Sequence, residues 1–182
     1  MSVYIGTSGW SYDHWHGVLY PHGIPARDRL GYYVQRYGTA ELNSSYYRWP
    51  RDTAFRHWHR RLPAHFRLSA KAPGLLTHVQ RLYAPERWLL RMRKSLGLLG
   101  EKFGVLLVQL SPKFSYDYLR LAYFLGQVPP GLRVAVEFRH PSWWADRIRE
   151  WTAMGRDVFV YFNNDGAGNA VRNADQLRGL LG

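Results

Sequence analysis

The chain contains no cysteine. That absence excludes a disulfide scaffold, a thiolate nucleophile, an iron–sulfur cluster and a zinc ion held by thiolates. Long hydrophobic runs are also missing. A membrane-spanning helix needs roughly 18 or more consecutive apolar residues, and no apolar run in the chain, 105–108 included, exceeds five residues. The first residues, Met1-Ser2-Val3-Tyr4-Ile5-Gly6, start like a strand and lack the basic and apolar regions of a signal peptide, so a cytoplasmic protein with no membrane partner is expected. Acidic residues are scarce: 13 Asp and Glu face 25 Lys and Arg, a formal net charge of +12. Lysine is scarce as well, since 21 of the 25 cations are arginine. The arginines are dispersed and no run reaches five, which reads as solvated helix faces more readily than as a nucleic-acid tract. Binding of nucleic acid by this charge is therefore the alternative reading.

What is present can build a core. Of 182 residues, 46% are hydrophobic and 16% aromatic, which fits a single globular domain spanning 1–182. Two textures alternate. Short β-like segments occupy 4–8, 39–44, 66–71, 105–110, 134–139 and 157–163. Between them lie stretches with helical spacing at 27–37, 52–61, 85–99, 116–126, 146–153 and 169–181. Strands alternating with helices predict an α/β protein with a parallel sheet.

The polar residues gather at the strand ends. The first strand runs into Thr7, Ser8 and Gly9; the second carries Glu41 and Asn43; the third ends at Lys71. The fourth holds Gln109, the fifth Glu137, Arg139 and His140, and the sixth runs into Asn163-Asn164-Asp165. Side chains alternate along a strand, so Ala135, Glu137 and Arg139 share one face while Val134, Val136 and Phe138 share the other. The apolar set belongs under the helices, and the charged set then points into a shared interior. Polar groups at the carboxyl ends of successive strands are the layout of a β/α-barrel mouth.

These residues also carry a resemblance. The opening Ile5-Gly6-Thr7-Ser8-Gly9-Trp10-Ser11-Tyr12, then Glu41-Leu42-Asn43-Ser44-Ser45-Tyr46-Tyr47-Arg48, Lys71 with Thr77-His78, and Val108-Gln109-Leu110-Ser111-Pro112 are similar to the YecE-like family, also called domain of unknown function 72. Glu137-Phe138-Arg139-His140-Pro141-Ser142-Trp143 and Tyr161-Phe162-Asn163-Asn164-Asp165 extend the likeness over nearly the whole chain. The resemblance implies a TIM-type β/α barrel and implies no reaction. A closed barrel of this type has eight strands in about 250 residues. Six strands are expected here, so the barrel is expected to be incomplete, short by roughly 70 residues or two βα units. The gap falls near 144–145, where related sequences carry two more strands with an Asp and an Arg/His-Gly motif. An open barrel of this kind would leave strand edges for a second copy to cover.

Within this layout Glu41 and Glu137 are the candidate acid and base, since two carboxylates facing one cavity can have their pKa values pushed apart and divide those roles. Lys71 is grouped with them as catalytic, and with Arg139 it could hold an anion or stabilise developing negative charge. A charge-balanced network of the same four residues is the purely structural alternative. Thr7, Ser8, Asn43, Gln109, Arg139, His140, Trp143, Asn163, Asn164 and Asp165 form the expected ligand-binding set. The segment from Asn163 to Asn169 is rich in glycine ahead of a helix and could present N–H groups to a phosphate, although it also reads as an ordinary turn. The loop aromatics Trp10, Tyr12, Trp15, Tyr46, Tyr47 and Trp49 read mainly as packing, while Trp143 beside His140 is expected to meet a ligand. No metal site is expected: His14/His16 and His57/His59 lack a third ligand in sequence, and His78 with His140 and the carboxylates is the weaker alternative. No cofactor is specified. The expectation is an enzyme, or an enzyme remnant, binding a small phosphate- or sugar-containing anion; the alternatives are a nucleic-acid-binding protein and an inactive truncated scaffold.

Overall fold

The computed structural model describes residues 3–155, 157 and 169–181. Five strands, β1 (Gly6–Ser8), β2 (Thr39–Leu42), β3 (Arg67–Lys71), β4 (Phe103–Gln109) and β5 (Val134–Glu137), alternate with α1 (Arg29–Arg36), α2 (Asp52–Arg61), α3 (Glu86–Gly97) and α4 (Tyr118–Gly126). Two further helices, α5 (Ser142–Ala153) and α6 (Asn169–Leu181), follow. The strands form one wholly parallel sheet in the order β1-β2-β3-β4-β5. The expected α/β class with a parallel sheet is thus observed. The sixth expected strand is outside the described residues from 158 onward.

Consecutive order has a consequence. Right-handed crossovers that each step one strand further in the same direction place all their helices on one side of the sheet. The buried residues follow that rule. Ala40, Leu42, Leu68, Ala70, Leu106 and Val108 point to the helix side and form one core with Leu30 and Tyr33 of α1, Phe55 of α2, Leu89, Met92 and Leu96 of α3 and Phe124 of α4. Paired residues in a parallel sheet face the same way. Ser8 pairs with Glu41, Glu41 with Ser69, Lys71 with Leu107, Leu107 with Ala135, and Gln109 with Glu137. These line the opposite face, and all remain partly or largely exposed.

One irregularity keeps the two faces distinct. Phe103 pairs with Leu68 but Leu106 pairs with Ala70, so two residues of β4, Gly104 and Val105, lie opposite the single Ser69. Such a bulge shifts the side-chain alternation by one residue. It allows Phe103 to be buried at one end of β4 and Leu106 and Val108 at the other, while Gln109 emerges on the polar face. The Ser69 hydroxyl accepts from Val105 N–H at 3.2 Å, a donor that the bulge takes out of the ladder. Gly104 is required for this approach, since a Cβ there would lie 2.4 Å from Ser69 Oγ.

Among the described residues, buried side-chain polar atoms on the helix side find hydrogen-bond partners except Arg29 Nε. Lys102 is buried, and its ammonium donates to the carbonyls of His59 at 2.6 Å and Leu62 at 2.7 Å. These carbonyls end α2, where the backbone lacks intrahelical partners and a cation is favoured. The Tyr33 hydroxyl accepts from Thr7 N–H at 2.8 Å and donates to Thr39 O at 3.0 Å, tying α1 to the first two strands. Burial pushes the Tyr20 phenol up to about 12.

The last helices differ from expectation at one boundary. The fifth helix begins at Ser142, ahead of the expected 146, because His140 O and Pro141 O accept from the N–H groups of Trp143 and Trp144 and start the first turn there. Ala145, Ile148 and Leu177, with Leu180 and Leu181 against them, make a small second cluster between α5 and α6. No described helix is long and apolar enough to cross a membrane.

Candidate functional site at the strand carboxyl ends

The carboxyl ends of β1 to β3 bring one polar cluster together. The Ser8 hydroxyl donates to Glu41 Oε1 at 2.6 Å, and Lys71 Nζ lies 3.5 Å from the same oxygen. Both members of this ion pair are largely shielded, with 14% and 20% of their side-chain surface exposed. A lysine and a glutamate so placed neutralise each other in a partly dry setting, which reduces the cost of holding either charge there. Behind them the buried Ser45 hydroxyl sits between the carbonyls of Leu42 and Lys71, locking the ends of β2 and β3 together.

A second cluster forms on β4 and β5. The Gln109 amide nitrogen donates to both carboxylate oxygens of Glu137 at 2.8 Å, and Arg139 Nε lies 3.9 Å from Oε1. Both clusters occupy the same face, so Glu41 and Glu137 share the face expected of them. This result follows from side-chain alternation and the pairing of strands in register.

His78 lies near Lys71 of the first cluster and Glu137 and Arg139 of the second. It sits on a single π-helical turn, Leu75–Val79, that follows β3, and the next residues Arg81, Leu82 and Ala84 all have positive φ. Such turns and such strained non-glycine backbone recur at functional sites. The Thr77 hydroxyl lies 3.3 Å from Pro73 O and 2.9 Å from His78 Nδ1, which fixes the orientation of the imidazole. Burial holds the imidazole below its ordinary pKa, and the charges of Arg139 and Lys71 push it further down against the opposing pull of Glu137. The Tyr46 ring packs edge-on against it, with centroids 5.1 Å apart. The sequence placed His78 only in the weaker metal alternative. Its position after Lys71 was visible, but the turn that brings it near Lys71, Arg139 and Glu137 was not.

Other expected ligand residues are placed differently. Thr7 pairs with Ala40 and faces the helix side, where its hydroxyl donates to Gly9 O at 2.6 Å and lies 2.9 Å from Tyr33 Oη. Asn43 opens a short 3₁₀ turn after β2 and lines a cavity beside the rim. His140 Nδ1 accepts from Ser142 N–H at 3.2 Å and lies 2.7 Å from the Ser142 hydroxyl, so it helps to start α5; burial lowers its pKa. Trp143 is only 7% exposed. Its N–H donates to Phe114 O at 2.8 Å, and its ring packs on Phe114, Tyr116 and Phe138, so it is a core residue here and presents no open face to a ligand. The reason is the early start of α5, which turns the ring inward. Asn163, Asn164 and Asp165 lie outside the described residues. Among the described residues, no three His, Asp or Glu side chains gather as a metal site would require.

Comparisons with known proteins agree with this architecture. The family model described as "Protein of unknown function DUF72" matches residues 4–146 and 143–182, two segments that meet at the start of α5. The UPF0759 protein YecE of Escherichia coli K12 is 25% identical over 151 residues, a match that covers 82% of this chain and 53% of that protein. The chain thus spans about half the length of this curated relative. A DUF72 family protein from Thermotoga maritima, known from its crystal structure, superposes with a TM-score of 0.68 at 30% identity, over 84% of this chain and 62% of the other. A DUF72 family protein from Enterococcus faecalis shares the fold at a TM-score of 0.61 and 24% identity, over 80% of this chain and 54% of that one.

Proposed function

The chain belongs to the DUF72 family, and from that premise we propose that its sheet is an arc of a TIM-type β/α barrel whose strand carboxyl ends bind a small phosphate- or sugar-containing anion. The observation that carries this reading is the gathering of Ser8, Glu41, Lys71, Gln109, Glu137 and Arg139 on one partly open face, with the His78 imidazole, its pKa lowered, near Lys71, Arg139 and Glu137. Lys71 and Arg139 supply the positive charge for the anion, and each is held by a glutamate within 4 Å that also positions it. Glu41 and Glu137 are the acid–base candidates, and the His78 imidazole adds a third titratable group near Lys71 and Glu137.

Two features support the barrel. Doubly wound sheets reverse strand order at a switch point, whereas this order is consecutive throughout, with the core on one side only. The family match in two segments supports a single domain shortened near 144–145. A panel of inorganic phosphate, sugar phosphates and uronates, read by thermal shift, tests the ligand. Saturating ligand at ~100 times its dissociation constant adds about 2.7 kcal/mol of stability. Lys71→Ala and Arg139→Ala should each weaken the shift by removing a charge-assisted hydrogen bond. A folded protein that shifts with no member of the panel would refute the reading.

A further inference from the structure

Beside the polar rim, immediately after β1 and β2, lies a cavity of about 350 Å³. Its walls are Trp10, Tyr12, Asn43, Tyr47 and Trp58, with Gly9 at its edge. We propose that this cavity is the sugar-ring half of a bipartite site whose anion half is the Lys71–Arg139 rim, so that the ligand is a sugar ring carrying an acidic group. The inference rests on the anion reading above and adds the chemistry of the ligand's other end.

The rings of the cavity are held in place before any ligand arrives. Trp58 stands edge-on to the fully buried Phe55 at 5.3 Å, which anchors it to the core, and Trp10 meets it edge-on at 6.1 Å. The Tyr12 hydroxyl donates to Ser8 O at 2.7 Å, and its ring packs on Trp15 at 4.9 Å. Gly9, with φ of +83°, makes room for this arrangement, since a Cβ there would lie 2.5 Å from Tyr12 Oη. Tyr47 closes the side with 81% of its surface exposed. A large ring left in water beside a rigid aromatic wall is a costly feature for a packing role and a useful one for stacking.

The lining also has polar groups of the kind that hold hydroxyls. The Asn43 amide makes no hydrogen bond among the described residues and can both donate and accept. Ser11 and Ser44 line the same space. Among the described residues, no Asp, Glu, Lys, Arg or His lines the cavity, so it suits the neutral part of a ligand. Aromatic faces are negative and pair with the polarised C–H face of a sugar ring, while an amide and hydroxyls take its rim.

Two links join the cavity to the anion half. Gly9 N–H donates to Glu41 O at 2.7 Å, and Ser8 and Glu41 lie one and two residues before Gly9 and Asn43. Two residues of extended chain span only about 7 Å, which is within the length of a monosaccharide phosphate. From the other side, Tyr47 packs edge-on against Tyr46 at 5.1 Å, and Tyr46 against His78 at 5.1 Å.

The test measures the affinities of inorganic phosphate, methyl glucoside, glucose 6-phosphate and phenyl phosphate for the full chain, by calorimetry or ligand-observed NMR. Glucose 6-phosphate should bind at least tenfold more tightly than inorganic phosphate. Tyr47→Ala and Asn43→Ala should bring it down to the phosphate value and leave phosphate affinity unchanged. Tyr47 is exposed, so its variant should fold, and an unchanged thermal midpoint checks this. A sugar phosphate no tighter than phosphate, a Tyr47→Ala variant that keeps the full difference, or phenyl phosphate binding more tightly than glucose 6-phosphate would each overturn the sugar-ring proposal while leaving the anion reading intact. Failure of inorganic phosphate and glucose 6-phosphate to bind, with methyl glucoside still bound and sensitive to Tyr47→Ala, would overturn the anion reading and the bipartite arrangement but keep the ring pocket.

Discussion

The two faces of the sheet are built from the same five strands and differ in almost every physical respect. On the helix side, Leu68, Ala70, Leu106 and Val108 are at most 1% exposed and meet side chains from four helices. On the other side, Ser69, Lys71, Leu107 and Gln109, their neighbours along the same strands, stay half-buried, and Lys71 and Gln109 meet Glu41 and Glu137 through an ion pair and hydrogen bonds. Stability resides on the first face. The second can carry charges and a groove of about 320 Å³ because the first face already holds the fold together.

The largest effects should therefore come from the helix side. Leu106→Ala leaves a cavity in close-packed surroundings and should cost about 2–5 kcal/mol, whereas Gln109→Ala, three residues on and facing the other way, should cost less than ~1 kcal/mol. Urea unfolding midpoints compare the two, and equal losses would contradict the division of roles.

Lys102 is the exception that sharpens the comparison, being a charge on the packed side. Lys102→Met keeps most of the stem but leaves the His59 and Leu62 carbonyls unpaired, with an expected cost of about 1–3 kcal/mol. A neutral result would mean that water replaces the ammonium.

Ser69→Ala removes the acceptor for Val105 N–H at the bulge and should cost about 1 kcal/mol. If the bulge sets the polar face, this variant should also perturb the amide resonances of Gln109 and Glu137; unchanged resonances would locate the control of β4 elsewhere.

The smallest effect is a pH dependence. His78 and His140 both have pKa values lowered by folding, so between those values and the unfolded value of 6.5 the unfolded chain binds more protons. Their contribution is complete above about 6.5 and declines as pH falls below it. His78→Gln should flatten the pH dependence of the urea midpoint between pH 8 and pH 5, and an unchanged slope would place the titration elsewhere.

Much of this was legible in one dimension. The apolar alternation of 134–138 separated the faces before any pairing was known, and the helix at 52–61 was read with its observed limits, Asp52–Arg61. The carboxyl-end residues Glu41, Lys71, Gln109 and Glu137 could be grouped because parallel strands joined by helices must all end on the same side. Trp143 could not be read correctly, since exposure depends on the turn that precedes it. Thr7 likewise looked like a rim hydroxyl, although its strand phase against Ala40 turns it to Tyr33.

By itself the sequence determined the α/β class, the parallel direction of the strands and the side on which each strand's polar residues would gather, because these follow from local periodicity and the rules of connection. Tertiary structure decided which polar residues became partners. Lys71 reaches Glu41 and Gln109 reaches Glu137 only through the register between neighbouring strands. On β4 that register depends on one extra residue opposite Ser69. Such a shift reverses every side chain beyond it, and it arises from a contact between residues more than thirty positions apart, which local pattern does not encode.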